Sequence, residues 1–308
     1  MRMVNYMPWQ VAAAFITMIL AAAPTNALAE EASCRLNLAA ELPLTFDSGN
    51  GRPIISVSTP TRELHLFVDL TSAFSALSEA GAEALGGRRA HPDLKGLQFT
   101  MGSHVLSETI RTPQLQLGRL TVDTAEFFIA PSGVHMPANI DGILASDILH
   151  LFDVELDVPH ARLKLFSTDH CPGKVVYWTG DYTALPITED PLHRVLFPVT
   201  INGTKAMAAV GTALSVTAIP RSIAHEKFGI SYTPEGKTCG RTKTLAVLGT
   251  LEIGDIEIHR PDINTDCDAP LCPFSEGQEP DIAIGMNHLK KFSLYVSWKD
   301  KMIYFIPV

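Results

Sequence analysis

Eleven histidines, five cysteines and scattered serines are the residues of this 308-residue chain that could do metal, redox or nucleophilic chemistry, and their spacing excludes most of it. There is no His-x-His or His-Glu-x-x-His run. His225-Glu226 lacks a second histidine one helical turn on, so the histidines read as surface or turn residues and no metal is expected. Cys267 and Cys272 have no second close pair with which to build a four-ligand zinc site. Ser72, Ser75 and Ser215 sit in no Gly-x-Ser-x-Gly elbow, and Gly86-Gly87 is not followed by the Gly-Lys-Ser/Thr of a phosphate cradle. Asn202-Gly203-Thr204 matches a glycosylation sequon, but Asn-Gly between two strand-like runs reads as a hairpin turn. No cofactor is expected.

The elements that would position any site come in two copies. Asp141-Gly142-Ile143-Leu144-Ala145-Ser146-Asp147-Ile148-Leu149 recurs 140 residues on as Asp281-Ile282-Ala283-Ile284-Gly285-Met286-Asn287-His288-Leu289. Upstream, Leu115 to Val122 matches Leu251 to Ile258, and Phe67-Val68-Asp69-Leu70-Thr71-Ser72-Ala73 lines up with Ala208-Ala209-Val210-Gly211-Thr212-Ala213-Leu214, an offset of 141. Three ordered blocks at nearly one offset indicate a duplicated lobe.

Apolar and polar residues alternate with strand period in Leu115–Val122, Val154–Val158, Leu251–Ile258 and Leu294–Trp298. Tight turns are expected at Gly118, Asn202-Gly203 and Gly254, and short helices at 75–85, 146–151, 222–228 and 286–291. The expected architecture is all-β with short helices: two similar closed β-barrel lobes, 30–168 and 184–308, joined by a linker at 169–183 that contains Cys171-Pro172-Gly173. Val68, Ile143, Leu144, Phe152, Leu163, Val199, Ile284, Phe292, Leu294 and Ile303 are expected in the cores.

The late blocks, Gly142 to Leu149 and Ile284 to Leu289, resemble the Gly-Leu-Leu-Gly-Met-Asp-Phe-Leu pattern of bacterial retropepsin-like proteins, and the doubling resembles the two lobes of pepsin-like aspartic peptidases. The resemblance covers roughly 53–166 and 195–306. It implies a site built from one Asp-Thr-Gly motif per lobe. At those positions the chain reads Asp69-Leu70-Thr71-Ser72 and Val210-Gly211-Thr212-Ala213, so Asp69 faces Val210 and the second acid is missing.

That loss bears directly on the chemistry. One carboxylate must deprotonate water while its protonated partner donates to the substrate carbonyl, and two close carboxyls sharing a proton provide both states. Asp69 alone cannot. Leu70 and Gly211 also lack the Thr hydroxyls that the family places across the lobes, and Thr71 and Thr212 replace glycines that let the loops approach closely. The hairpin around Met101-Gly102 falls where the family places the flap over bound peptide. The expected function is a catalytically inactive homologue that binds, at most, an extended peptide or protein segment near Leu70, Thr71, Met101, Gly102, Gly211 and Thr212. The competing readings are an active endopeptidase using Asp69 with an unrecognised second acid, and a structural protein whose cleft is filled.

Composition narrows the partners. A formal net charge of -9 argues against nucleic acid, whose counterions only a basic face displaces. The apolar stretch from Val11 to Ala23, followed by Ala27-Leu28-Ala29, reads as a cleaved secretory signal over 1–29. A secreted or periplasmic protein without stable membrane insertion is therefore expected, with an oligomeric state the sequence does not specify. Its cysteines would then form bridges: Cys34 with Cys171, and Cys239 with Cys267 or Cys272.

Overall fold

The computed structural model describes residues 35–59, 61–93, 99–101, 104–112, 114–134, 136–189, 193–230, 249–265 and 280–307. Each half is built round a hairpin whose second strand runs parallel to the late repeat block. In the first half Pro53–Ser58 pairs with Glu63–Asp69, which pairs in parallel with Gly142–Ala145. In the second, Val195–Ile201 pairs with Thr204–Gly211, which pairs in parallel with Ile282–Gly285. These four-residue parallel strands are near-continuously apolar because both faces are covered. They anchor a ten-stranded sheet in the first half and an eight-stranded sheet in the second. The expected two-lobed, all-β architecture is the observed one.

Local signals explain the punctuation. Asn202 (φ 48°) and Gly203 (φ 77°) both take the left-handed conformation of a two-residue hairpin turn, and the Asn202 side-chain oxygen accepts from the backbone N–H groups of Gly249 and Thr250. The helix expected at 75–85 starts at Glu79 rather than Ser75. Ser75 and the short strand Ala76–Leu77 are committed to the sheet, and Ser78 becomes the cap, its hydroxyl accepting from the Gly81 N–H. The other helices cover Ser146–Leu149, Arg221–Phe228 and Met286–Leu289.

The two halves meet in a third sheet, an arrangement that strand period alone does not specify. Its order is Leu38–Pro43, Arg162–Phe166, Asp153–Asp157, Phe292–Ser297, Met302–Pro307, Thr183–Pro186. The central contact is antiparallel and joins the repeat copies: Val154 faces Val296, Glu155 faces Tyr295, Leu156 faces Leu294 and Asp157 faces Ser293. One face of this pair is apolar and enters the main core. The other carries Asp153, Glu155, Asp157, Ser293, Tyr295 and Ser297, and these polar residues are buried as well.

The segment between the halves covers them. His170 lies 2.7 Å from the Asp153 carboxylate, with both side chains fully buried, and Tyr295 donates to the same oxygen at 3.0 Å. Lys164 donates to Glu155 at 2.8 Å, and the Tyr177 hydroxyl also donates to Glu155. Val175 and Trp178 close the layer against Phe166, Tyr295 and Tyr304. Burial pushes the Asp153 carboxyl above the usual carboxylate range despite the neighbouring His170.

Eight of the ten expected core residues are buried; Ile143 and Phe152 are half-buried. Ile143 points to the opposite face of its strand from Leu144, where it packs on a satellite cluster of Ile54, Phe67 and Ile140.

Cys34, Cys239, Cys267 and Cys272 lie outside the described residues, so the expected pairings are not addressed there. Cys171 is disulfide-bonded. The Ser167 N–H donates to the Asn37 carbonyl at 2.9 Å, which brings the chain just after Cys34 to the same strand end as the chain just before Cys171. Peptide mapping without reductant should therefore recover a Cys34–Cys171 fragment. Replacing both by serine should cost on the order of 4 kcal/mol, the chain-entropy value for so long a loop. A Cys171 fragment linked to Cys239, Cys267 or Cys272 would refute the pairing.

Candidate functional site

Hydrogen bonds on both sides of the loops fix how the two halves correspond. The Asp141 carboxylate accepts from the His65 N–H, and that of Asp281 from the Met207 N–H. Asp147 accepts from the Ser75 N–H, and Asn287 from the Thr217 N–H. In the parallel ladders Ala145 faces Asp69 and Gly285 faces Gly211. His65 to Met207 and Ser75 to Thr217 are both steps of 142 residues, one more than the sequence blocks suggest. The residue corresponding to Asp69 is therefore Gly211, and the earlier assignment of Val210 is off by one. The three motif positions read Asp69-Leu70-Thr71 and Gly211-Thr212-Ala213. In this register the second half carries glycine where an acid would stand.

Threonines do cross between the halves, contrary to expectation. The Leu70 N–H donates to the Thr212 hydroxyl at 2.8 Å, and the Thr71 hydroxyl donates to the Val210 carbonyl at 3.0 Å. All four residues are buried. Thr212 thus makes a crossing bond of the kind the sequence resemblance implies, while Thr71, one place late, supplies the reciprocal hydroxyl that Leu70 lacks. Leu70 and Val210 instead place their side chains in the hydrophobic core.

Asp69 ends its strand 3% exposed. Its Oδ1 accepts from the Thr71 N–H at 2.8 Å and the Ser72 N–H at 3.1 Å, and its Oδ2 accepts from the Ser72 hydroxyl at 2.6 Å. The carboxylate therefore closes its own loop. Among the described residues no second carboxylate is bonded to it. An acid at 211 would also be crowded, since a Cβ there would lie 2.9 Å from the Ile284 carbonyl oxygen.

Beside this loop lies the hairpin Phe99–Met101 with His104–Leu106, a two-stranded sheet separate from the rest. Gly102 lies outside the described residues. Met101, Phe99 and Phe74 pack against Ala76, Leu106 and Phe128, with the Phe74 and Phe99 ring centroids 4.4 Å apart. Of this group the sequence pointed to Met101 but not to Phe74 or Phe128, because neither belongs to a motif.

Below the loops, Ser75 and Asp147 form a bracket: the Ser75 hydroxyl donates to Asp147 at 2.6 Å and accepts from the Ala145 N–H at 2.9 Å. The second half repeats it with Thr217 and Asn287. Burial pushes the Asp147 carboxyl up to about 6, outweighing the Ser75 hydrogen bonds. Because the folded pKa lies above the unfolded one, the stabilising contribution is complete below about pH 3.8 and is lost as the pH rises through 6. The loss is roughly 3 kcal/mol for about two pKa units. Asp147→Asn copies the neutral solution of the second half and should flatten the stability slope between pH 4 and 7, as measured by urea unfolding. An unchanged slope would count against the assignment.

No family model matches the sequence, and no curated protein matches it either. Among solved structures the chain is similar to a basic 7S globulin from soybean, at 11% identity and a TM-score of 0.54, covering 88% of this chain and 95% of that one. It is also similar to conglutin gamma, a basic 7S globulin from lupine seeds, at 12% identity and a TM-score of 0.55, with the same coverages. At such identities the likeness is one of fold, and that fold is acid-protease-like.

Proposed function

We propose that this chain is an exported, non-catalytic homologue of the aspartic peptidases, of the retropepsin-like kind its late blocks resemble, with lobes at 30–168 and 184–308. In this reading it holds an extended peptide between them. The observation that carries the non-catalytic part is Gly211 opposite Asp69. A general acid and a general base are both needed at the scissile bond, and the one carboxylate found there among the described residues is bonded to Thr71 and Ser72. The cross-lobe bonds of Thr71 and Thr212 support a cleft that is held in place without its chemistry. Peptide binding is supported by the separate hairpin whose Phe99 packs with Phe74 and Phe128, which offers apolar contacts beside the loop. Export is supported by the apolar stretch before Ala27-Leu28-Ala29.

The test is a cleavage assay on purified protein across acid and neutral pH, with and without pepstatin. No pepstatin-sensitive cleavage should appear, whereas activity abolished by Asp69→Asn would establish the peptidase reading instead. Gly211→Asp should not restore cleavage. It should cost about 1–3 kcal/mol of stability, because the new Cβ presses on the Ile284 carbonyl.

A further inference from the structure

A cavity of about 450 Å³ opens between the halves, lined by Phe46, Asn50, Gly51, Val158, Ser215, Met286, Asn287 and Lys290. It lies apart from Asp69 and the separate hairpin, and nothing in the proposed function uses it. The internal repeat supplies a second copy of the same place, which shows what this space accepts. Gly51 precedes the strand pair by the same interval as His193, and both take left-handed backbone, at φ 66° and 59°. Val158 corresponds to Trp298: each opens a hairpin turn by accepting at its carbonyl from the N–H three residues on, of Ala161 and Lys301, which share φ 54°. Lys290 corresponds to His150, each following the short helix of its late block.

In the second copy the space is filled by rings. Trp298 is 6% exposed and its indole N–H donates to the His193 carbonyl at 3.0 Å. The His193 ring stacks on His150, with centroids 3.7 Å apart and planes within 2°. Valine and glycine in place of tryptophan and histidine remove an indole and an imidazole from the first copy, and the cavity is what remains. Its walls are apolar at Phe46, Val158 and Met286. Among the described residues Lys290 is the one charged lining residue, and it is exposed and has no acidic partner there. Ser215 also lines the wall, its backbone carbonyl accepting from the Asn287 N–H at 3.0 Å. Asn287 is already engaged, accepting from Thr217 and donating to the Asp262 carbonyl. The nearest acid of the Asn50 loop, Asp47, is paired with Arg52 at 3.7 Å.

We infer that this cavity is a binding site for a small planar aromatic carboxylate, its ring in the space that Trp298 and His193 fill in the other half and its carboxylate on Lys290. Pockets of this size, mostly apolar with few polar groups, are typical small-ligand sites. The inference is independent of peptide binding in the cleft.

Indole-3-propionate titrated into the full chain by calorimetry is the direct probe, with 3-methylindole as its uncharged counterpart and hexanoate as its ringless one. Saturable binding with a Kd of about 1 mM or tighter is expected for indole-3-propionate. Both counterparts should bind more weakly. Lys290→Gln, at an exposed position, should lower affinity for the carboxylate by about two- to fivefold and leave 3-methylindole unchanged. Val158→Trp and Gly51→His each copy the filled half and should abolish binding while far-UV circular dichroism stays native. Absence of saturable binding, or binding that survives in a folded Val158→Trp or Gly51→His protein, would overturn the site. Should neither blocking variant fold, an unchanged carboxylate preference in Lys290→Gln would overturn it equally.

Discussion

The antiparallel contact of Val154–Asp157 with Ser293–Val296 is the constraint from which the remaining geometry follows. Each half supplies one central strand, so neither half can complete the six-stranded sheet alone. Because the contact joins equivalent repeat segments, it sets an approximate two-fold relation between the halves. That relation brings the loop at Asp69 to the loop at Gly211, close enough for the Leu70 N–H and the Thr71 hydroxyl to bond across. Buried hydrogen bonds of this kind each stabilise by about 1 kcal/mol, and leaving their partners unmet costs more. The pair therefore resists separation of the two loops.

A sheet joined this way has a second face to satisfy. Along Asp153–Asp157 and Phe292–Ser297 the alternation is regular, apolar inward and polar outward, and a solvated outer face would need nothing further. Instead the segment between the halves lies over it, and the polar residues pair beneath: Asp153 with His170 and Tyr295, Glu155 with Lys164 and Tyr177. Buried charges are tolerated only when paired in this way. The cover spans strands from both halves, so it adds to their attachment.

The duplication was legible because the late blocks must be apolar wherever both faces of a parallel strand are covered, and such runs survive as pattern. The turn at Asn202-Gly203 was legible because its conformation selects those residue types. The register at the site was not. One residue of difference between offsets of 141 and 142 leaves the alternation of Val68 and Val210 undecided, and what fixes it is a set of long-range bonds from Asp141, Asp147, Asp281 and Asn287. The shared sheet was illegible for a related reason: strand period tells which residues face inward, but not which strand lies alongside. Thr71 shows the limit most clearly, since its hydroxyl takes a role the sequence assigned to its neighbour.

The strand order of the shared sheet also dictates when the protein can finish folding. Leu38–Pro43, Arg162–Phe166 and Asp153–Asp157 can associate once the first half has been made, but the outer edge of Asp153–Asp157 then has no neighbour. Its partner, Phe292–Ser297, begins 135 residues further along the chain (292 - 157). Until those emerge, the growing polypeptide carries an unpaired strand edge of the kind that recruits other chains. Vectorial synthesis thus leaves this molecule with a long interval of edge exposure, set by the distance between residues 157 and 292 rather than by the stability of either half.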